Sequence, residues 1–455
     1  MPMGAGVGGR LSRRYCGTGA RHLFNAMPPR RVGAAAARGE DCIGALPDDL
    51  LLHVLSFLPA HDAVRTCVLS RRWRQVWKSL RVLRFTKPQS WGSATKFNRF
   101  ANSVLLFRSR APLEELTFET YMYDAINPLL DKDQKNERVK YAQRWIMYAL
   151  RHSVRVLRVL VNSRLSRPQL RPIPLLRLSE PLISQHLMTL ELKSVVLTNN
   201  SMDFSSCPAL KNLKIRDSKI WVHKISSQSL SRLSVKNCEF SGDICTQILA
   251  PNLSSLLLDV RSGRLPYFPS AVLLVKAYIR LDQYCRDCCW HSNFEHCAHD
   301  TCVDCYGNND RSAKCVLLRG LCNAKNLELS VQFSVYIQNR AAAIFKRDMK
   351  LCPIFSNLKT LVLNGWAVAC ELDALICFLQ HAPILEKITL QHNGLNYNVE
   401  MRESCSSIEK IALPEHLKLV EVRCQKIAEN VHKFVDILNA YGITSDIINI
   451  VEMDG

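Results

Sequence analysis

The chain has 455 residues, and 47% of them are hydrophobic, so it can bury a large core and is long enough for two or three domains. No uninterrupted apolar run reaches the roughly eighteen residues of a membrane-spanning helix, which argues against a membrane protein. The formal net charge is +20, an excess that is typical of nucleic-acid-binding proteins. Because the basic residues are scattered and not interleaved with aromatic residues, the sequence favours another function, with nucleic-acid binding as an alternative.

Residues 1–39 contain seven arginines, no acidic residue and several runs of glycine and alanine. A segment of this composition buries too little apolar surface to fold, so we expect a disordered basic tail. An organelle transit peptide has a similar composition and remains an alternative interpretation. Met27 offers a second start for translation.

A short amphipathic helix is predicted next, from Pro47 to the residue before Pro59. Proline suits the first turn of a helix, and Asp48 and Asp49 place negative charge at its positive end. Proline at position 59 then ends the helix. The apolar positions with helical spacing are Leu51, Leu52, Val54, Leu55 and Leu58.

Two further short helices follow within about twenty residues. One contains Val64, Val68 and Leu69, and the other begins after Ser70, which is suited to cap a helix. Some forty residues are too few for an independent core, so we expect a partner or the following domain to cover part of this apolar surface. The third helix carries its apolar residues on one side: Trp73, Val76, Trp77 and Leu80.

The sequence of this segment, LPDDLLLHVLSFLP followed by AVRTCVLSRRWRQVWKSL, resembles an F-box and is similar to the F-box of plant F-box proteins with leucine-rich repeats. In that family the motif binds a Skp-type adaptor, which a cullin and a RING protein hold in an SCF ubiquitin ligase. The resemblance implies an F-box at 40–84; an ordinary helical hairpin is the alternative. It assigns the adaptor face and the helical core, without dividing them, to Leu46, Pro47, Leu51, Leu52, Val54, Leu55, Leu58, Val64, Leu69, Trp73 and Trp77.

A loose internal repeat follows the F-box. The pattern Leu-x2-Leu-x-Leu begins at Leu187, Leu210, Leu230 and Leu253, in steps of 23, 20 and 23 residues, and this period is typical of leucine-rich repeats. The expected fold class is therefore α/β: a small three-helix F-box, then a leucine-rich-repeat solenoid at 85–400 with short parallel strands on its concave side and helices and turns on its convex side. Helices are predicted at Ala374–Gln380 and at Ala428–Ala440, and Gly442 closes the second. Residues 401–455 form the predicted cap of the solenoid, which faintly resembles the C-terminal domain of plant F-box/leucine-rich-repeat proteins. Further copies, some of them weaker, begin at Leu113, Val154, Leu327, Leu358 and Leu385.

The residues between the core leucines face the concave side, where we expect a target protein to bind. Lys193, Lys214, Arg216 and Lys236 make this side basic, which favours an acidic partner. A charged face that only keeps the solenoid soluble is the alternative.

A Cys/His-rich insertion at 282–310 interrupts the repeats, with six cysteines and three histidines between Cys285 and Cys305. The pairs Cys285-x2-Cys288 and Cys302-x2-Cys305 have the spacing of a structural zinc site with four thiolates. Alternative ligands, which also allow a second ion, are His296, Cys297 and His299. The cluster lacks the proline before Cys302 that a zinc deaminase needs, and it is too short for a RING domain. A polar loop that has accumulated cysteines, without a metal, is the alternative.

The resemblance implies a non-catalytic subunit that holds the adaptor through the F-box and a target through the repeats, so that the lysines of the target come close to a conjugating enzyme. No cofactor is required for that function, and a structural zinc is the one metal the sequence suggests. Most cysteines lie singly within apolar repeats, which is typical of reduced thiols. We expect the protein in the nucleus, the cytoplasm or both. A scaffold that does not promote degradation is an alternative function.

Overall fold

The computed structural model is divided by its internal contacts into two compact units. The first is Met1–Leu176 with Ser184–Ser194, and the second is Arg177–Ile183 with Val195–Gly455. No helix among the described residues is both long enough and apolar enough to cross a membrane. The structure describes residues 45–121, 132–162, 176–269, 271–286, 317–331, 344–345, 348–349, 352–364, 373–391, 414–424 and 429–453. The predicted disordered tail at 1–39 lies outside these residues.

Helices and strands are numbered in chain order. The helices are α1 (Asp48–Ser56), α2 (Ala60–Arg65), α3 (Trp73–Val76), α4 (Ala94–Phe107), α5 (Lys132–Arg151), α6 (Leu318–Leu321), α7 (Asp373–His381) and α8 (Glu429–Ala440). The first strands are β1 (Val82–Phe85), β2 (Glu115–Tyr121), β3 (Val156–Asn162), β4 (Arg177–Leu178), β5 (Thr189–Lys193), β6 (Val196–Thr198), β7 (Asn212–Arg216), β8 (Lys219–Trp221) and β9 (Lys224–Ser226). The others are β10 (Arg232–Phe240), β11 (Gln247–Leu249), β12 (Ser255–Arg264), β13 (Lys276–Arg286), β14 (Asn326–Val331), β15 (Thr360–Asn364), β16 (Lys387–Gln391), β17 (Leu419–Cys424) and β18 (Ile448–Glu452).

The predicted F-box helices are present as α1, α2 and α3. Helix α1 begins directly after Pro47 and has Asp48 and Asp49 in its first turn, as the sequence predicts. The backbone N–H of Trp73 donates a hydrogen bond to the hydroxyl of Ser70 at 3.5 Å. Helices this short are marginal by themselves, so their stability comes from the side chains that they bury together.

Strands β1, β2, β3 and β5 lie side by side in the first unit, and every pair is parallel. Helices α4 and α5 contribute aromatic side chains to the same core. The ring centroids of Phe118 and Trp145 are 5.3 Å apart, and those of Trp91 and Phe100 are 4.7 Å apart. The indole N–H of Trp145 donates to the side-chain oxygen of Asn102 at 2.7 Å, so its polar atom is satisfied inside an apolar cluster.

A longer run of parallel strands forms the second unit, in the order β7, β10, β12, β13, β14, β15, β16, β17 and β18. The repeats are in register: an apolar residue at one position of each strand pairs with the residue at the equivalent position of the next strand. This row is buried throughout, and it consists of Leu213, Leu233, Leu256, Ala277, Leu327, Leu361, Ile388 and Val420.

All nine strands that the repeat pattern predicts are present, with their apolar positions buried. The pattern misses β1, β13, β17 and β18, which belong to the same rows of strands. In β13 an alanine stands where the other repeats have a large apolar residue, and this substitution hides the repeat from the sequence pattern.

The expectation that helices and turns make the return segments holds only for the turns at residues 177–249, where short strands take the place of helices. Here the chain returns through the short parallel strands β4, β6 and β8, which pair with one another, and through the pair β9 and β11. Only 15 residues separate β7 from β10, which is too short for a helix and two turns. Asp217, directly after β7, and Asn237, at an irregularity within β10, have positive φ angles of 51° and 53°. Asp and Asn tolerate this conformation. The return before β16 is longer and does contain the predicted helix, α7.

One glycine lies where two strands approach each other closely. Gly263 in β12 has a φ of +98°, and a Cβ atom at this position would lie 1.9 Å from the carbonyl oxygen of Phe240 in β10. Gly442 also has a positive φ, +96°, at the end of α8, but a Cβ atom there would meet nothing within 4 Å. The two glycines therefore separate backbone strain from steric overlap.

We expect Gly263→Ala to lower the free energy of unfolding by about 3 kcal/mol or more, because a strained φ angle costs about 1–2 kcal/mol and overlap with a backbone carbonyl adds to it. Gly442→Ala is the matched control and should cost only about 1–2 kcal/mol. Chemical denaturation of both full-length variants measures the difference. Equal costs would show that β12 moves away from Phe240 easily.

Candidate protein-binding sites

Helix α1 is apolar on two faces. Leu51 and Leu55 point into the protein and are buried. A second apolar stripe has i, i+4, i+7 spacing and consists of Leu50, Val54 and Phe57, the last of which directly follows the helix. These three side chains are 50%, 50% and 69% exposed, respectively. A helix on the surface of a monomer normally presents a polar outer face, so this second apolar stripe needs an explanation.

Further large apolar side chains are exposed next to α2. Val68 ends a 3-10 turn, Thr66–Val68, and both it and Leu69 are 65% exposed. Isolated exposed apolar residues are ordinary, whereas several within one motif of about forty residues mark a binding surface. We name these residues the exposed F-box face: Leu50, Val54, Phe57, Val68 and Leu69.

The structure divides the predicted F-box residues by burial. Leu51, Leu55, Val64, Trp73 and Trp77 are buried and form the helical core together with Val76 and Leu80. Pro47, Val54 and Leu69 are exposed, and Leu46, Leu52 and Leu58 are partly buried. The sequence reasoning missed Leu50, Phe57 and Val68; the spacing of Leu50, Val54 and Phe57 was the available signal.

Arg72 holds the start of α1 against the chain before α3. Its guanidinium lies 2.6 Å from a carboxylate oxygen of Asp48 and donates to the carbonyl of Leu46 at 2.5 Å. At the other end of α1, the guanidinium of Arg84 donates to the carbonyl of Ser56. Both ends of the helix are thereby fixed, and so is the direction in which its exposed stripe points.

A buried arginine joins the F-box to the strands that follow it in the first unit. The guanidinium of Arg108 donates to the carbonyls of Leu80 at 2.7 Å, Ala111 at 3.0 Å and Pro112 at 3.4 Å. The backbone N–H of Ser109 also donates to the carbonyl of Lys78 at 2.9 Å. Hydrogen bonds from a charged group to buried carbonyls are strong, so the F-box and β1–β2 are firmly connected.

The exposed sheet face of the first unit carries alternating charges. The carboxylate of Glu115 lies 2.9 Å from Arg84 and 2.6 Å from Arg158, which in turn lies 3.4 Å from Glu191. Lys193, a predicted target-binding residue, is partly buried at the end of β5, where it pairs in register with Leu160. This face therefore balances its charges internally.

The exposed sheet face of β7 and β10, in the second unit, is basic. Lys214 pairs in register with Ser234, and Arg216 pairs with Lys236; all three predicted basic residues are exposed. Arg232 lies on the same face and donates to the side chain of Asn212 at 3.3 Å. Neighbouring strands are about 4.8 Å apart, so these four cations form one patch, which we name the basic surface: Lys214, Arg216, Arg232 and Lys236.

An acidic residue on the next strand lies beside this patch. Burial raises the pKa of the Asp259 carboxyl, against the opposing effect of the nearby Arg280 and Lys236. The repeat pattern alone did not single out Arg232, because it precedes the first leucine of the Leu-x-Val strand motif. Its exposed position follows from the alternation along β10.

Cys285, a predicted zinc ligand, lies fully buried near the end of β13. Its thiol donates to the carbonyl of Val260 at 3.3 Å, and burial raises its pKa well above the ordinary range. A thiol in these surroundings behaves as a small apolar core residue. The other three predicted ligands, Cys288, Cys302 and Cys305, lie outside the described residues, so the predicted site stays a prediction.

The F-box domain family matches residues 43–85 of the chain. Over longer stretches, the chain is 24% identical over 410 residues to the putative F-box/FBD/LRR-repeat protein At5g56810 of Arabidopsis thaliana, covering 86% of this chain and 84% of that protein. It is 27% identical over 423 residues to the F-box/FBD/LRR-repeat protein At5g22660 of the same plant, covering 86% and 85%. It is 30% identical over 178 residues to the putative FBD-associated F-box protein At5g38570, also from Arabidopsis, of which it spans 38%.

The domain match identifies an F-box domain in this chain, and it falls on the helices described above. The long alignments extend through the region of parallel repeated strands. The chain is thus similar over most of its length to plant F-box/FBD/LRR-repeat proteins, in agreement with the resemblance of its sequence motifs.

The difference in burial predicts a large loss of stability for some substitutions in α1 and almost none for substitutions of neighbouring residues. We expect Leu51→Ala or Leu55→Ala to lower the free energy of unfolding by about 2–5 kcal/mol, because each leaves a cavity in the core. Val54→Ala or Phe57→Ala should change it by no more than about 0.5 kcal/mol. Denaturant titration of the purified chain tests this, and a large loss for Phe57→Ala would mean that the exposed F-box face is covered within the chain itself.

Proposed function

We propose that this protein is the substrate-recognition subunit of an SCF ubiquitin ligase. The observation that carries the proposal is the exposed F-box face, in which five large apolar side chains lie at the surface of an F-box. In SCF ligases the F-box binds a Skp-type adaptor, and through it the cullin and the RING protein. The exposed F-box face is the surface of this chain with the chemistry to bind that adaptor.

The buried residues of the F-box have a different task. They hold α1 at a fixed angle, and the contacts of Arg72 and Arg84 fix its two ends. A preformed apolar face loses little conformational entropy on binding, and this favours affinity. Because Arg108 connects the F-box to β1–β2, the adaptor would be held in a defined orientation to the first repeats.

The repeats then hold the target. We propose that they form a leucine-rich-repeat solenoid, with the registered strands on its concave side, because stacking is what buries the leucine rows that single repeats leave open. The target would bind there through an acidic segment that contacts the basic surface, since complementary charge provides specificity and a fast association rate. No bond chemistry is required of this chain: it would raise the effective concentration of target lysines near a conjugating enzyme.

The proposed complex assigns the protein to the nucleus, the cytoplasm or both. A non-degradative scaffold would use the same two surfaces, so the difference lies in the fate of the target. Removal of the protein should raise the level of a target that is degraded and leave the level of a merely scaffolded partner unchanged.

The adaptor contact is tested with a triple variant, Leu50→Ala, Val54→Ala and Phe57→Ala. We expect it to keep its thermal stability and to bind a purified plant Skp-type adaptor at least about 100-fold more weakly, because central apolar residues carry most of the binding energy of an interface. Titration calorimetry with the full chain measures this.

The matched control replaces three equally exposed apolar residues outside the F-box: Ile183→Ala, Val272→Ala and Ile354→Ala. This variant should bind the adaptor like the wild type. Equal binding by both variants would remove the exposed F-box face as the contact, and a folded wild type that does not bind the adaptor would remove the proposed function.

The target contact is tested by charge reversal, Lys214→Glu with Lys236→Glu. We expect the ubiquitinated proteins that co-purify with the wild type under proteasome inhibition to be lost, while adaptor binding is retained. Lys96→Glu with Lys418→Glu reverses two exposed charges elsewhere and should leave them unchanged. Both charge-reversal variants could instead lose bound nucleic acid and keep the co-purifying ubiquitinated proteins. If the binding of that nucleic acid also depends steeply on salt concentration, the chain is a nucleic-acid-binding protein instead.

A further inference from the structure

Two cysteines and a histidine meet in the second unit. The ligand atoms of Cys352, Cys377 and His381 all lie within 4.8 Å of one another. Cys377 and His381 are four residues apart on α7, so they share one face of that helix, and Cys352 approaches from the segment before β15. The two cysteines are 25 positions apart in the sequence, a separation that matches no metal-binding motif, so no sequence pattern paired them.

The histidine is oriented for ligation. Its Nδ1 atom lies 2.8 Å from the carbonyl oxygen of Cys377, so that nitrogen is the one that carries the proton and donates. The lone pair then resides on Nε2. Histidine ligands of metals are typically held in this way, with one ring nitrogen donating to a carbonyl and the other bound to the ion.

The Cys377 thiol differs from that of Cys238, another buried cysteine among the described residues. Cys238 is a solitary core residue, and burial raises its pKa to about 12. The pKa of Cys377 is instead lowered, chiefly because the Cys352 thiol hydrogen-bonds to it. Two thiols in contact, beside an imidazole, form a donor set rather than a packed apolar core.

The surrounding structure holds the donors together without a metal. The backbone N–H of Phe355 donates to the carbonyl of His381 at 2.7 Å. The rings of Phe355 and Phe378, both fully buried, are 5.2 Å apart between centroids. These contacts fix the segment before β15 against α7, so that binding an ion requires little rearrangement.

We propose that Cys352, Cys377 and His381 bind a Zn²⁺ ion, with water in the fourth position. Thiolate sulfur and imidazole nitrogen are the ligands that zinc prefers, at about 2.3 Å and about 2.0 Å respectively. Donors at the corners of such a tetrahedron are up to about 3.8 Å apart, so the present separations, all within 4.8 Å, would have to close by at most about 1 Å. Binding displaces one proton from each thiol and leaves the histidine neutral.

The ion would cross-link two successive repeats, because it would tie the chain before β15 to the helix before β16. The ion would thereby stabilise the contact between these two repeats. This site shares no residue with the zinc site predicted from the spacing of Cys285, Cys288, Cys302 and Cys305, and the two are distinguished by separate substitutions.

The test is the metal content of the full chain, purified under reducing conditions and dialysed against Zn²⁺. We expect the double variant Cys352→Ser, Cys377→Ser to contain one equivalent of zinc less than the wild type, as measured by elemental mass spectrometry. Co²⁺ in place of zinc should give thiolate-to-cobalt charge transfer and the visible absorption of tetrahedral cobalt in the wild type, and this part of the spectrum should be lost in the variant. Removal of zinc by a chelator should lower the melting temperature of the wild type and not of the variant.

Two controls keep the outcome specific. Cys424→Ser removes a buried thiol that lies outside the cluster and should keep the full zinc content. Substitution of Cys288, Cys302 and Cys305 by serine reports any metal bound at the other cysteines, and should leave the equivalent at the proposed site in place.

Two results would overturn the proposal. One is the same zinc content and cobalt spectrum in the wild type and in the double variant when both are folded. The other is a Cys352–Cys377 disulfide, seen as the loss of two hydrogen atoms by mass spectrometry, that persists under these reducing conditions and prevents zinc binding.

His381→Asn gives a milder third variant, which should weaken zinc binding without removing either thiol.

Discussion

The rest of the structure depends on the burial of one apolar row along each run of parallel strands. In the second unit, Leu213, Leu233, Leu256 and their counterparts lie side by side in register. Because successive side chains of a strand point to opposite faces, this row fixes which residues face outward, and a shift by one residue would exchange the two faces. The positions of the basic surface and of the charged pairs in the first unit follow from that constraint.

The F-box shows the opposite use of apolar residues. Its buried stripe on α1 is satisfied within the chain, whereas its second stripe is left at the surface. Polar contacts at both ends of the helix, from Arg72 and Arg84, keep the exposed stripe in place. A rigid exposed face of this kind is costly for a protein that remains alone and favourable for one that binds a partner, which is why it supports the proposed adaptor contact.

Electrostatics divides the outward sheet faces into regions of different character. In the first unit, Glu115 and Glu191 compensate Arg84 and Arg158. Near the other end of the second unit, the carboxylate of Glu421 accepts hydrogen bonds from Lys387 at 2.7 Å and from Arg423, and these cations lower its pKa. In the sequence, β7 and β10 lie between these two regions, in which acidic residues pair with the cations. They contribute four cations to one patch, and this concentration of positive charge supports the proposal of an acidic target.

The sequence by itself determined the F-box helices, nearly all of the repeat strands, and the helices α7 and α8. These depend on local periodicity, on prolines at helix starts and on the glycine after α8, all of which act within a few residues. Only the tertiary structure decided which apolar residues of α1 stay exposed, that Arg232 joins the basic surface, that short strands replace helices in the returns at 177–249, and that Cys352 meets Cys377 and His381. Side-chain spacing along α1 and β10 gives a local signal for the first two, but which face stays uncovered depends on contacts between segments that are distant in the chain. The meeting of Cys352 with Cys377 and His381 depends on such contacts alone, and no local pattern encodes it.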